Sequence, residues 1–412
     1  MKLKQIVIAA LCVLGCAAGA YAKKAPKIVL PSVMEAFAPD KTNRQLGYQL
    51  ADGGKTVVFV FDSSVYRIQK PKKVFVEGSF NGWMKGVGGS WELSPYKGTV
   101  WTFECPAELV KAPGNSGFPE FKFYVIADVT KIESLAGMQL ERTREERLEP
   151  NAVSKIAGYQ MGGNNLILFA GDSPETVLEN IALSERVKKL SDFDLGTAEG
   201  RAMISNFRLV PGTTRLFRGY HPYKTSRPNF DTERRRIEIV NQELAANGIK
   251  SIITLSGDEK LAKNEEVSLD ILAMRAVGNQ LFIDTSYNTV YYHSDGFDFG
   301  NVIRQVVEFI NSHPGPYYVH CRLGTDRTGT VSAVLAALCG APWEDIKSDY
   351  QKSNDMGINE FRDYRLLRYS FEQLIGMPPE EAADLQKAVA AHFVDGRYLT
   401  QGDIDKLASN LK

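Results

Sequence analysis

Apolar and polar positions change their rhythm partway along the chain. Between Lys55 and Phe169 the apolar residues come in short runs rich in β-branched and aromatic types: Val57 to Phe61, Val74 to Val76, Val100 to Phe103, Phe121 to Val125 and Leu166 to Phe169. Gly, Asn, Pro and Ser clusters separate the runs, and this pattern predicts an all-β antiparallel sandwich. The charged, Gly-rich stretch over 136–165, which contains ERTREERLEPN, reads as a long solvated connection. From Ser173-Pro174, a cap and first-turn pair, the spacing turns helical.

Beyond that point helices and strands alternate. Ile237, Val240 and Leu244 mark one helix, and Ser251 to Leu255 a strand. A second helix follows with Val302, Ile303, Val306, Val307 and Ile310, then the strand Tyr317 to Val319, then a helix with Val331, Val334, Leu335 and Leu338. Such alternation implies a mostly parallel sheet covered by helices on both faces. The tail reads as two or three further helices.

With 412 residues, 44% of them apolar, the chain is long enough for two cores. Lys plus Arg and Asp plus Glu both number 49, so no overall charge excess draws the protein to nucleic acid. The opening MKLKQIVIAALCVLGCAAGAYAKK has a basic start, an apolar run and small residues ending at Ala22, the layout of a secretory signal peptide over 1–22. Val13 to Cys16 also loosely resembles a lipoprotein cleavage box, so lipidation at Cys16 is the alternative. The expectation is an exported protein, periplasmic or secreted, with no transmembrane segment in its mature form. Past Ala22 the cysteines are Cys105, Cys321 and Cys339, an odd number without paired spacing, which excludes a disulfide framework.

The chemistry concentrates in PYYVHCRLGTDRTGTVSAVLAAL, residues 316–338, where a loop leaves one strand and enters one helix. Ligand crevices in open α/β sheets lie beyond the carboxyl ends of the strands. Backbone amides there, with a helix N-terminus behind them, cradle an oxyanion such as phosphate, and Gly324 and Gly329 allow the tight curl. Cys321 inside that cradle is a candidate nucleophile, because positive potential favours its thiolate. Arg327, six residues on, is a candidate clamp for two phosphate oxygens. Cys339 falls on an apolar helix face and reads as a core thiol. His320 reads as orienting the loop, not as a metal ligand, and no metal or other cofactor is expected.

His320-Cys321-Arg322-Leu323-Gly324-Thr325-Asp326-Arg327-Thr328-Gly329 resembles the signature loop of cysteine-dependent protein tyrosine and dual-specificity phosphatases. The resemblance covers roughly 200–375, including Leu216 to Gly219 and Gly248 to Lys250. It implies that Cys321 is the nucleophile and that phosphate is bound by Arg322, Leu323, Gly324, Thr325, Asp326 and Arg327. Thr328 would bond to Cys321 or assist the leaving thiolate. A carboxylic acid must also protonate the leaving oxygen. Asp295, delivered by a strand at Val290 to Tyr292, is preferred for this role, with Asp284 and Asp326 as alternatives; Asp298 reads as a helix cap. Relatives ending in Asp-Arg-Thr-Gly that act on inositol phosphates carry Lys before the Asp, whereas this chain has Thr325.

The sandwich resembles the glycogen-binding module of AMP-activated kinase β subunits through Val74 to Trp83, Trp91 to Leu93, Glu120 to Val125 and Gly163 to Leu166. That resemblance implies an immunoglobulin-like fold, with Trp83 stacking on a sugar ring and Lys122 and Asn164 or Asn165 bonding its hydroxyls. The module's second Trp is missing, since Ile126-Ala127-Asp128-Val129 follows the strand.

The expected architecture is therefore a signal peptide over 1–22, an extension over 23–54 and an immunoglobulin-like sandwich over 55–172. A helical linker over 173–200, an α/β phosphatase domain over 201–375 and a helical extension over 376–412 follow. The expected activity is hydrolysis of phosphate monoesters, directed to a polysaccharide or glycoconjugate by the sandwich. Two rivals stand beside it: a phosphotyrosine or inositol phosphate phosphatase whose sandwich is structural only, and a non-catalytic protein that binds phosphorylated glycan.

Overall fold

The computed structural model describes residues 41–86, 89–128, 143–148, 156–224, 232–257 and 267–412. The signal peptide, Cys16 and the first part of the 23–54 extension lie outside the described residues. The chain divides into two compact units between Ile181 and Ala182.

The first unit opens with a short helix, α1 (Lys41–Leu46), and contains nine strands among its described residues. They are β1 (Tyr48–Ala51), β2 (Thr56–Asp62), β3 (Pro71–Gly78), β4 (Glu92–Lys97), β5 (Val100–Pro106), β6 (Glu120–Asp128), β7 (Thr143–Leu148), β8 (Gln160–Met161) and β9 (Asn164–Leu166). Helix α2 (Pro174–Ser184) follows where the cap-and-proline pair places it. The strands pair antiparallel in the order β1-β2-β5-β4-β3-β6-β9-β8, with β7 also on β6. This corrects the immunoglobulin-like expectation: β4 pairs with both β3 and β5, so one continuous sheet folds over a shared core in place of two separate sheets.

Alternation explains that core. Phe121, Phe123 and Val125 of β6 point inward with Phe59, Phe61, Val74 and Val76. Strand β2 is buried on both faces, because Val58 and Val60 pack with Val100 in a second cluster. The charged run read as a loop is the strand β7, paired with β6 from Phe123↔Leu148 to Asp128↔Thr143. Glu145 and Arg147 are exposed while Leu148 is buried, as suits a strand at a solvated edge.

The second unit has a five-stranded sheet formed by β10 (Arg208–Leu209), β11 (Leu216–Gly219), β12 (Ser251–Thr254), β13 (Gln280–Phe282) and β14 (Tyr317–His320). Its order is β10-β11-β14-β12-β13; β10 is antiparallel to β11 and the other pairs are parallel, as expected. Ten helices among the described residues accompany it: α3 (Ala198–Ser205), α4 (Thr232–Ala246), α5 (Leu269–Ala276), α6 (Tyr287–Tyr292), α7 (Phe297–Ser312), α8 (Asp326–Leu338), α9 (Trp343–Lys352), α10 (Tyr364–Ile375), α11 (Leu385–Asp395) and α12 (Gln401–Leu411).

Successive residues of β14 serve opposite layers. Tyr317 and Val319 join the core formed with α7 and α8, whereas Tyr318 packs with Val240, Leu244, Ile271 and Met274 of α4 and α5. Residues 376–412 are no appendage. Leu385, Val389, Phe393, Ile404, Leu407 and Leu411 belong to the same core as the α8 side chains. None of the helices over the described residues is long and apolar enough to cross a membrane.

Candidate active site

Strand β14 is central, with parallel neighbours on both sides, and it delivers its last residue into a loop of five before α8 begins at Asp326. Cys321 opens that loop and is 3% exposed, at the foot of a 13-residue helix whose N-terminal amides favour an anion. Gly324 has φ +79°, and a Cβ there would lie 2.3 Å from the Gly219 carbonyl oxygen, so no other residue fits.

The loop is held from outside by its carbonyls. Asn206 Nδ2 donates to the Leu323 oxygen at 3.0 Å, and Arg218 Nη2 donates to the Gly324 oxygen at 2.7 Å. His320 Nδ1 lies 3.0 Å from the Cys321 oxygen and its Nε2 2.9 Å from Thr254 Oγ1, so the ring orients the loop, as the sequence suggested. With these carbonyls turned outward, the loop amides are left for the inner side, where a phosphate would sit.

Behind the loop is an assembly that sequence reasoning missed. Asp349 of α9 accepts from Arg208 Nε and Arg218 Nη1, both at 2.5 Å, and Arg208 also donates to Ser353 Oγ at 2.9 Å. Burial alone would raise the Asp349 carboxyl, but Arg208 and Arg218 outweigh it and hold the group below the usual carboxylate range. Burial draws Arg208 down to about 10, against the pull of Asp349. Arg218 stood in the sequence only as one residue of a strand segment, 131 positions from its carboxylate. An Arg two places from the end of a strand that borders the catalytic strand was the available signal.

Arg327, on the first turn of α8, reaches across the crevice. Its Nη1 donates to the Leu255 oxygen at 3.1 Å and to the Thr285 oxygen at 3.3 Å, so its guanidinium lies where β12 and β13 end. Arg322 is exposed and Leu323 half-buried, while Thr325 is buried. Thr328 does not bond to the thiol: its hydroxyl is buried and has no hydrogen-bond partner, like that of Thr325.

The three candidate acids separate clearly. Asp326 is committed elsewhere, since its carboxylate accepts from Arg362 Nε at 2.8 Å and from Tyr291 OH at 3.0 Å. Asp295 does not come from a strand; Val290 to Tyr292 lie in α6, and Asp295 is exposed in the turn before α7. Its charge acts on Tyr369 of α10 and His392 of α11. Asp284 is at the carboxyl end of β13, bridged to Ser256 beyond β12 and adjacent to the Thr285 carbonyl that holds Arg327. Asp284 is exposed, as Asp295 is, but of the three it alone lies just past the carboxyl end of a sheet strand, and among the described residues it has no ion pair of the kind that holds Asp326. Asp298 lies in the first turn of α7, whose cap position is Gly296.

In the first unit, Trp83 is half-buried with φ +60° just after a short turn, and its carbonyl accepts from Arg147 Nη2 at 3.4 Å. Lys122 lies opposite Glu77 across β3 and β6, and Asn164 Nδ2 is spent on Glu120 Oε2 at 2.7 Å. The expected sugar-binding trio is thus partly engaged in bonds within the unit. Among the described residues no group of His, Cys, Asp and Glu has the arrangement of a metal site.

A family model described as the tyrosine phosphatase family matches residues 227–411, which includes the loop, Arg327, Asp284 and the two last helices. No curated protein matches the chain. Among solved structures, the core catalytic domain of the PP-IP phosphatase SIW14 from S. cerevisiae, in complex with citrate, is 17% identical; the match covers 47% of this chain and 94% of that one, with a TM-score of 0.25. The family match falls on the unit whose central strand leads into Cys321: the protein is a cysteine-dependent phosphatase.

Proposed function

We propose that the protein hydrolyses phosphate monoesters through a cysteinyl-phosphate, with Cys321 as nucleophile, Arg327 as clamp and Asp284 as proton donor. The observation that supports this most directly is the set of outward-tied carbonyls at 321, 323 and 324, which leaves the loop amides to surround an oxyanion beside Cys321. The thiolate sulfur bonds to phosphorus as the ester oxygen departs, and Asp284 gives that oxygen its proton. Asp284, now a carboxylate, takes a proton from water as the water oxygen attacks the phosphorus. The sulfur–phosphorus bond breaks, and free phosphate and thiolate are restored. Arg327 would leave its two carbonyl partners to hold the equatorial oxygens by its planar fork.

Export through the 1–22 segment and direction to a polysaccharide through Trp83, Lys122 and Asn164 complete the proposal. The rival reading keeps the same chemistry for phosphotyrosine or inositol phosphate and leaves the β-rich unit a structural role. The test of the mechanism is acid-quenched protein after incubation with radiolabelled aryl phosphate. Wild type should hold label on Cys321 and Cys321→Ser should neither turn over nor label in that way; a fully active Cys321→Ser would end the thiol mechanism. Pull-down on insoluble glucan addresses the sugar role separately: retention of wild type and loss of Trp83→Ala supports it, and equal behaviour removes it.

A further inference from the structure

A chain of hydrogen bonds runs from the outside of the sheet to the nucleophile's own backbone. Arg275 Nε, in the last turn of α5, donates to Gln280 Oε1 at 2.9 Å. Gln280 Nε2, on the edge strand β13, lies 3.5 Å from Thr254 Oγ1 and 3.3 Å from Tyr223 OH. Thr254 at the end of β12 meets His320 Nε2, and His320 Nδ1 meets the Cys321 carbonyl.

The direction of every bond in this chain follows from its two ends. A guanidinium only donates and a carbonyl only accepts. Arg275 therefore fixes the oxygen of the Gln280 amide towards itself, which turns the NH2 group to Thr254 and Tyr223. Thr254 Oγ1 accepts from that NH2, and its one proton goes to His320 Nε2. His320 is then left with its proton on Nδ1, where the Cys321 oxygen needs a donor. Thr254 and His320 are fully buried, so water cannot replace a bond that is lost. Among the described residues, the rings of His221 at 4.6 Å, Tyr318 at 5.7 Å and Tyr223 at 6.0 Å lie against the His320 ring, with Cys321 adjacent in sequence. His221 Nδ1 accepts from the backbone N–H of Lys224 at 3.1 Å, so that nitrogen is bare.

We propose that Gln280 and Arg275 are positioning residues: they set the His320 tautomer and, through it, pull the Cys321 carbonyl away from the phosphate cradle. The purpose assigned to that carbonyl rests on Cys321 being the nucleophile, but the tautomer does not. The single atom exchange Gln280→Glu tests the direction of the relay. A carboxylate still accepts from Arg275 but cannot donate to Thr254, so the Thr254 hydroxyl turns to donate to it, and its oxygen accepts a hydrogen bond from His320 Nε2–H once the ring has taken up one proton from solvent. His320 then carries protons on both nitrogens.

The measurement is the ¹⁵N side-chain spectrum of the full-length protein labelled at histidine, with His320→Gln used to assign the resonances. Wild type should show His320 protonated at Nδ1 and bare at Nε2, whereas Gln280→Glu should keep the doubly protonated form to higher pH. Gln280→Met, which removes the bonds to Arg275, Thr254 and Tyr223, should lower kcat by about tenfold, the contribution of the one bond that reaches Thr254, and leave KM unchanged. A wild-type His320 protonated at Nε2, or a folded Gln280→Glu whose His320 signals match wild type, overturns the proposal. The wild-type spectrum decides even where the variant does not fold. Loss of labelling at Cys321 with the expected tautomer intact would instead refute the thiol mechanism alone.

Discussion

Replacing Asp349 by Asn removes one charge and almost no volume, and it leaves Arg208 and Arg218 facing each other behind the phosphate loop. Arg218 is 1% exposed and the Asp349 side chain 10%, so neither guanidinium regains solvent when the carboxylate is lost. Breaking a buried ion pair by deleting one partner costs about 3–5 kcal/mol. Against a typical unfolding free energy of about 5–15 kcal/mol, that is a large fraction of what holds this unit together. At about 2–4 °C per kcal/mol for a unit of this size, the transition should fall by about 10 °C. Arg218→Met is the informative contrast. It leaves Asp349 paired with Arg208, so the loss of stability should be smaller, yet it strips the donor from the Gly324 oxygen. A misplacement on the 1 Å scale can cost about 100-fold in rate. The assay is thermal unfolding by circular dichroism beside turnover of an aryl phosphate. An Asp349→Asn protein with an unchanged melting temperature would refute the role given to this triad.

Four further outcomes follow from the same structure. Gly324→Ala must place a methyl group against the Gly219 carbonyl at φ +79°, so kcat should drop by about 100-fold or more and the melting temperature should fall with it; normal turnover would deny the tight curl. Asp284→Asn should lower kcat by about 100-fold on substrates with poor leaving groups and much less on activated aryl phosphates, whereas Asp295→Asn should leave kcat unchanged on both. Burial raises the thiols of Cys339 to about 11 and Cys105 to about 12, so mass mapping after iodoacetamide at neutral pH should find both unmodified in the folded protein. Acid stability carries its own sign. The folded-state carboxyl of Asp349 lies below the unfolded value, so its contribution is complete above about pH 5 and disappears as pH falls through that lower value. The acid limb of wild-type stability should therefore be steeper than that of Asp349→Asn.

The elements that periodicity made legible are those whose burial is local. Helix α7 carries its apolar stripe in one continuous segment, and strands β12 and β14 are built on short apolar runs, Ile252-Ile253 and Tyr317 to Val319, so sequence spacing suffices for each. The loop at 320–327 was readable because its chemistry needs fixed residues at fixed spacing along one stretch of chain. What escaped was set by pairing across distance. Strand β7 looks like a solvated loop, because an edge strand with charged side chains satisfies its backbone through β6 and not through any pattern of its own. The segment expected to deliver Asp295 was misread as a strand for a related reason. Tyr287 to Tyr292 have the aromatic content of a strand, and only Ser286, whose hydroxyl accepts from the Thr289 N–H at 3.0 Å, marks the start of a helix. Once that segment is helical, Asp295 is carried past the crevice to α10 and α11. Asp284 then becomes the carboxylate at a strand's carboxyl end, which is where the topology of a parallel sheet places chemistry. The bond from Arg327 to the Thr285 carbonyl adds a physical link: the Arg327 guanidinium and the backbone next to Asp284 are joined at the same end of the sheet.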